Sequence, residues 1–306
     1  MRRWRPTTIP PRAVINIAHG MGEHSIRYGW LAEKFAAEGI EVWAADQRGH
    51  GMTADTGVND PGKGGLPGHC HDGDTFERVT DDVHRINMAI RGAHPGVPLI
   101  LLGHSWGSFI SQNYIGRTGG GDIDGCVLSG TRGPGGLKVR AGIPFLSLLA
   151  ALKGGRNGSP LARALVDGPC NRAFRPNRTD FDWLSRDESA VDAYRADPLC
   201  GRLCSAGFYR DLARGLNRIH GRQHIAGIRA DLPVYIVCGS ADPVGDMGAS
   251  PTALVNAYRS RGMGDLEFVL YPGARHEPLN ETNREEVAAN LLSWIQRHTS
   301  RRDTGD

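Results

Sequence analysis

Six short runs rich in Val, Ile and Leu, each bounded by Gly, Pro or Asp, recur along the chain: Ala13 to Ala18, Ile40 to Ala45, Leu99 to Leu102, Ile123 to Leu128, Val234 to Cys238 and Leu266 to Tyr271. Runs this short and this continuously apolar read as strands buried on both faces. Between them lie longer stretches of helical period, including Tyr28 to Glu38, Phe76 to Arg91, Ser108 to Arg117, Pro251 to Arg261 and Glu285 to His298. Parallel strands need crossovers long enough to hold a helix. The βαβα rhythm therefore predicts an α/β fold: a mostly parallel sheet, helices on both faces, and ligands at the carboxyl ends of the strands.

The chain has 306 residues, 40% hydrophobic and 23% charged, which suffices for one large α/β core with an insertion. The rhythm breaks once, between Gly130 and about Gly227, where Gly, Pro and Arg are frequent. We therefore expect residues 1–132 and 226–306 to form the core and residues 133–225 a mainly helical cap, inserted after the strand ending near Ser129. Within it, Ile143 to Leu152 is apolar and flanked by Lys138, Arg140, Lys153 and Arg156. That composition suits a cap helix packed on the core, with peripheral contact to a membrane as the rival reading.

Gly103-His-Ser-Trp-Gly107 follows the strand at Pro98 to Leu102 and precedes the helical stretch from Ser108. A serine held on such a sharp strand-to-helix turn projects its hydroxyl at the edge of the sheet, and glycines two positions to either side remove side chains that would collide. An N-capping serine would not need those glycines. A hydroxyl is a weak nucleophile at neutral pH and needs a base, which in turn needs a group to fix its tautomer. Asp242 follows the strand at Pro233 to Cys238, and His276 follows the strand at Leu266 to Tyr271. Beyond adjacent strand ends the two can converge on Ser105, which makes Ser105, Asp242 and His276 the expected catalytic set. Asp246 is the competing acid, four residues further from the strand. Among the twelve histidines, only His276 lies just after the last strand.

His19-Gly-Met-Gly-Glu-His24 follows the first apolar run. Backbone N–H groups of Met21 and Trp106 are the expected oxyanion-hole donors, each worth on the order of a hundredfold in rate. Glu23, His24 and Arg27 are expected to form a polar cluster that holds this loop or meets the leaving group, with a purely structural salt bridge as the alternative.

Other signals are set aside. His69-Cys-His-Asp72 with Asp74 crowds metal-type ligands onto one loop. His220 and His224 lack the intervening Glu of a zinc protease, and Gly57 to Gly64 has Gly64 where a phosphate loop carries Ser or Thr. No metal or organic cofactor is expected. Lys plus Arg number 36 and Asp plus Glu 33, with no run of one sign, which argues against a nucleic-acid partner. No signal sequence or bilayer-length apolar stretch is readable, so a soluble, cytoplasmic protein is expected. The six cysteines lack paired metal or redox spacing and read as free thiols.

The chain resembles the monoacylglycerol lipase and lysophospholipase-like branch of the α/β-hydrolase superfamily. The resemblance rests on His19-Gly-Met-Gly-Glu-His-Ser-Ile-Arg-Tyr28, Asp46-Gln-Arg-Gly-His-Gly51, Gly103 to Gly107, Gly239-Ser-Ala-Asp-Pro243 and Gly273-Ala-Arg-His276, with Phe181 to Asp187 and Asp197 to Gly201 in the cap. It implies the α/β-hydrolase fold and hydrolysis of a small-molecule ester or lipid, a monoacylglycerol or lysophospholipid, through an acyl-serine intermediate, with Ser105, Asp242 and His276 in the triad roles. Two features depart from the branch. Its members begin with a β-hairpin before the strand at Ala13, of which only Trp4 is left; the sheet edge is then abbreviated, or the native start lies upstream of Met1. Trp106 replaces a smaller or more flexible residue and resembles certain aminopeptidases of the superfamily. Aminopeptidase, carbon–carbon bond hydrolase and non-catalytic receptor remain the alternatives, with acyl length, head group and oligomeric state open.

Overall fold

Alternation along each central strand splits the core into two apolar layers. Leu99, Leu101, Cys126, Leu128, Val234 and Ile236 face one layer, whereas Ile100, Leu102, Val127, Tyr235 and Val237 face the other. Side chains of successive strand residues point to opposite faces, so runs apolar at every position are what a sheet covered on both sides requires. The computed structural model describes residues 1–7, 9–56 and 66–300. The phosphate-loop look-alike at Gly57 to Gly64 lies outside them, as does part of the glycine-rich stretch from Gly57 to Gly73.

The strands are β1 (Arg2–Trp4), β2 (Ala13–Ala18), β3 (Ile40–Ala44), β4 (Leu99–His104), β5 (Gly125–Ser129), β6 (Val234–Gly239) and β7 (Leu266–Tyr271). They form one seven-stranded sheet in the order β1-β3-β2-β4-β5-β6-β7, parallel throughout except for β1 on β3. Chain order reverses direction between β2 and β4, which opens a crevice beyond their carboxyl ends.

The sequence left β1 unread, and the structure supplies it as an edge strand of three residues. Trp4 stands opposite Val42, and the Arg3 guanidinium donates to Glu41 at 2.6 Å. A strand so short carries no readable alternation. Several boundaries also move by one to two residues. β5 begins at Gly125 rather than Ile123, because the Asp124 carboxylate turns aside to accept from Leu99 N–H and Arg91. The helix expected from Ser108 begins at Trp106.

One layer is closed by helices Thr75–Ala93, Trp106–Thr118 and Ala249–Ser260, the other by Gly29–Ala37 and Arg284–Thr299. Between β5 and β6 lie helices Gly136–Lys153, Pro160–Val166, Gly168–Arg172, Glu188–Ala196, Ala206–Ile219 and Arg222–Ala226. Three start on side-chain caps: Ser159, Asp187 and Ser205 accept from N–H groups of the first turn. Phe208, Tyr209, Leu212 and Leu216 of helix Ala206–Ile219 join the same apolar cluster as Phe76 and Trp106. On helix Gly136–Lys153, Leu146 and Leu149 point inward while Phe145, Leu148 and Leu152 are exposed. Among the described residues, no helix is long and apolar enough to cross a membrane.

Candidate active site

Ser105 stands between β4 and helix Trp106–Thr118 with φ 50° and ψ −119°. A non-glycine residue held there costs about 1–3 kcal/mol and persists only where its surroundings enforce it. Here the flanking glycines do so. A β-carbon on Gly107 would overlap the Ala18 carbonyl, and one on Gly103 would overlap the Gly107 carbonyl. The turn is pinned further by Ser105 N–H, which donates to the Ser129 carbonyl at 2.9 Å.

The structure brings the three expected side chains together. Ser105 Oγ lies 2.8 Å from His276 Nε2, and His276 Nδ1 lies 3.0 Å from Asp242 Oδ2. Asp242 is fully buried, and its other oxygen accepts Val244 N–H at 2.8 Å. Asp246 is instead half-exposed beside Arg132 at 3.6 Å, so Asp242 is the acid that reaches the imidazole. Trp183 covers His276, ring centroids 5.0 Å apart, and its carbonyl accepts the His276 N–H.

Burial disfavours the charged form of His276, but the Asp242 carboxylate outweighs it, assisted by Glu277 and Glu23, so its pKa is raised above the ordinary 6.5. His104, at 5.2 Å ring to ring, is lowered by burial.

Met21 and Trp106 line the same cavity as Ser105. Trp106 opens its helix, where a backbone N–H has no intrahelical acceptor. Its side chain is buried against Phe76 and Phe208 and donates Nε1–H to Gln47 at 2.8 Å. The loop carrying Met21 is tied from behind, since Glu23 accepts from Gly20 N–H at 2.5 Å and from Tyr28 at 2.8 Å. Arg27 bridges Glu23 at 2.6 Å and Glu277 at 2.7 Å. Burial pushes the Glu23 carboxyl up, yet Arg27, with His104 and His19, holds it down at about 2. The expected cluster thus forms with one exchange: Glu277 joins it, and His24 turns to Asp197 at 2.8 Å.

The set-aside histidines have ordinary partners. His69 bonds Ser205 and Asp72, His220 meets the Arg132 carbonyl and His224 that of Gln112. Among the described residues, ligand-type groups do converge at His24, Asp197 and Cys200, but the His24 bond and Leu199 N–H already engage both Asp197 oxygens.

Above Ser105 opens a cavity of about 420 Å³ walled mainly by Phe109, Val139, Leu146, Leu212, Leu216 and Val244. An apolar hollow with Ser105 in its wall, the serine bonded in turn to His276, can receive an acyl chain and attack its carbonyl.

The pattern of one protein family, described as serine aminopeptidase, S33 (Hydrolase_4), matches residues 9–283. The chain belongs to that family. The monoacylglycerol lipase of Mycolicibacterium smegmatis is 32% identical over 297 residues, covering 96% of this chain and 91% of that protein. The monoglyceride lipase of Mus musculus is 29% identical over 304 residues, covering 96% and 85%. Among solved structures, a highly thermostable carboxyl esterase from Bacillus coagulans in complex with glycerol matches with a TM-score of 0.87 at 27% identity, over 97% of this chain and 93% of that one. The architecture of this family member is the α/β-hydrolase fold.

Sequence reasoning missed three residues of this Hydrolase_4 site. Glu277 follows His276 directly, but its partner Arg27 is 250 positions away. Trp183 and Asp167 come from the segment between β5 and β6: Trp183 lies in the quoted stretch Phe181 to Asp187 with no role read for it, and no strand or turn signature marks Asp167. Asp167 lines the cavity beside Ser105 and is raised by burial to about 6, against the pull of Arg163 and His276.

Proposed function

We propose that this chain is a carboxylic ester hydrolase that cleaves a monoacylglycerol or a lysophospholipid through an acyl-serine intermediate. Ser105 is the nucleophile, His276 the base and then the acid, and Asp242 the carboxylate that fixes the imidazole and stabilises its charged form. Met21 and Trp106 N–H groups receive the oxyanion. The observation that carries this reading is the continuous hydrogen-bond chain from Ser105 Oγ through His276 to Asp242, with Ser105 in the wall of an apolar cavity. The relatives named as lipases support the substrate class.

As Ser105 Oγ bonds to the ester carbon, its proton passes to His276 Nε2 and charge collects on the carbonyl oxygen. Collapse breaks the bond to the alcohol, which leaves with the proton from His276. Water then repeats the exchange and frees the acid. Asp242 stays ionised throughout. In this reading residues 133–225 act as the cap over residues 1–132 and 226–306, and exposed Phe145, Leu148 and Leu152 offer it peripheral contact with a membrane.

The family's description suggests amide cleavage as a second reading. A terminal amine needs a carboxylate to hold it; Glu23 and Glu277 are both taken by Arg27, and Asp167, which lines the cavity beside Ser105, is paired with Arg163 at 3.6 Å. A panel of p-nitrophenyl esters, monoacylglycerols, lysophospholipids and aminoacyl p-nitroanilides tests the choice. Ester turnover without amide turnover is expected; faster cleavage of the anilides would replace the ester reading with the peptidase one.

A further inference from the structure

Two cavities of different chemistry meet at Ser105. One is the apolar hollow described above. The other is lined by Gly20, Glu23, Ser105 and His276, and it shares Arg163, Asp167 and Tyr194 with an outer basin of about 750 Å³. An ester seated with its carbonyl carbon at Ser105 must send its acyl and alcohol parts in different directions. The apolar hollow suits the acyl chain, so the alcohol faces the second passage.

That passage is charged. Arg163, Arg172, Arg175 and Arg195 line the basin, against Asp167 and Asp180. Asp167 is matched by Arg163 at 3.6 Å, and Arg195 has Asp192 at 3.8 Å. Arg172 and Arg175 are exposed, and among the described residues neither makes an ion pair or side-chain hydrogen bond. A plain polyol needs neutral donors and acceptors, not surplus guanidinium. A concave surface in which one sign of charge is in excess attracts the opposite sign, and the planar fork of arginine fits the oxygens of a phosphate.

We infer that the alcohol side of this site takes a phosphate-bearing glycerol, so that the substrate is a lysophospholipid or acylglycerol phosphate in preference to a neutral monoacylglycerol. The inference rests on the ester-hydrolase reading and narrows its substrate class. Arg172 and Arg175 hold the phosphate, with Arg163 between it and the scissile bond.

The test compares 1-octanoylglycerol, 1-octanoylglycerol 3-phosphate and p-nitrophenyl octanoate on the full chain, each below its critical micelle concentration so that no lipid surface is involved. The ratio of kcat/KM for the phosphate ester to that for the neutral one is expected to be about tenfold or more at low salt and to shrink as salt is added. In Arg172→Ala/Arg175→Ala that ratio collapses toward one, and in Arg172→Lys/Arg175→Lys it is partly kept. Because it is a ratio within one variant, loss of folded protein cancels. Glycerol 3-phosphate is expected to compete with substrate better than inorganic phosphate, which distinguishes a lipid head group from a free anion. No preference in the wild type, or a preference that survives the double alanine variant, overturns the inference; so does equal competition by inorganic phosphate. Failure to turn over even p-nitrophenyl octanoate would instead overturn the hydrolase reading beneath it.

Discussion

Gly107 lies against Ala18 so closely that a β-carbon on it would overlap the Ala18 carbonyl oxygen. This contact joins the helix behind Ser105 to the end of β2 and so sets Ser105 beside the loop that carries Met21. Gly107→Ala must push the helix off the sheet or displace β2. It is expected to lower stability by several kcal/mol, in the range of severe backbone and overpacking changes, and to abolish ester turnover. Gly92→Ala, on an open face of helix Thr75–Ala93, should instead stabilise by up to about 1 kcal/mol. Thermal unfolding of the two variants checks the contrast.

In the proposed mechanism His276 must be neutral to accept the Ser105 proton, and its pKa is raised by Asp242 against the effect of burial. As pH falls, kcat/KM for a p-nitrophenyl ester is therefore expected to be lost through a midpoint above 6.5 and to level on the alkaline side. Asp242→Asn removes the raising charge, so the surviving activity, lower by on the order of 10³- to 10⁴-fold, should titrate at a lower pH. Asp246→Asn should leave the midpoint in place. A pH profile of each variant reads this directly.

Arg27 neutralises two buried carboxylates, Glu23 and Glu277. Arg27→Ala strands both and is expected to cost about 3–5 kcal/mol in urea unfolding. In the wild type the folded Glu23 carboxyl sits near 2, below its unfolded value, so its contribution is present above the ordinary carboxylate range and lost as pH falls toward 2. Acid titration of stability should therefore show this contribution persisting below pH 4 in the wild type and missing in Glu23→Gln.

What the sequence shows and what it hides follows from the range of the interactions. Strands buried on both faces write themselves as local apolar runs, and the Ser105 turn as two glycines around a serine. Asp242 and His276 are legible because each directly follows such a run. β1 is not, since three residues paired to β3 carry no period of their own. Trp183 over His276 and Arg27 on Glu277 depend on contacts spanning roughly a third of the chain or more, so the local motifs that contain each residue do not reveal its partner. The basin arginines were visible only as part of an arginine-rich composition, and it is the folding of the segment between β5 and β6 that groups them on one side of Ser105.

The most direct measurement is intact-mass analysis after exposure to a fluorophosphonate, which bonds only to a serine whose proton an adjacent base can take. Wild type is expected to gain a single adduct, at a rate that falls as His276 becomes protonated. Ser105→Ala should gain none, and His276→Ala should react slower by orders of magnitude. Folded wild type that remains unlabelled, or an adduct that persists in Ser105→Ala, would contradict the account.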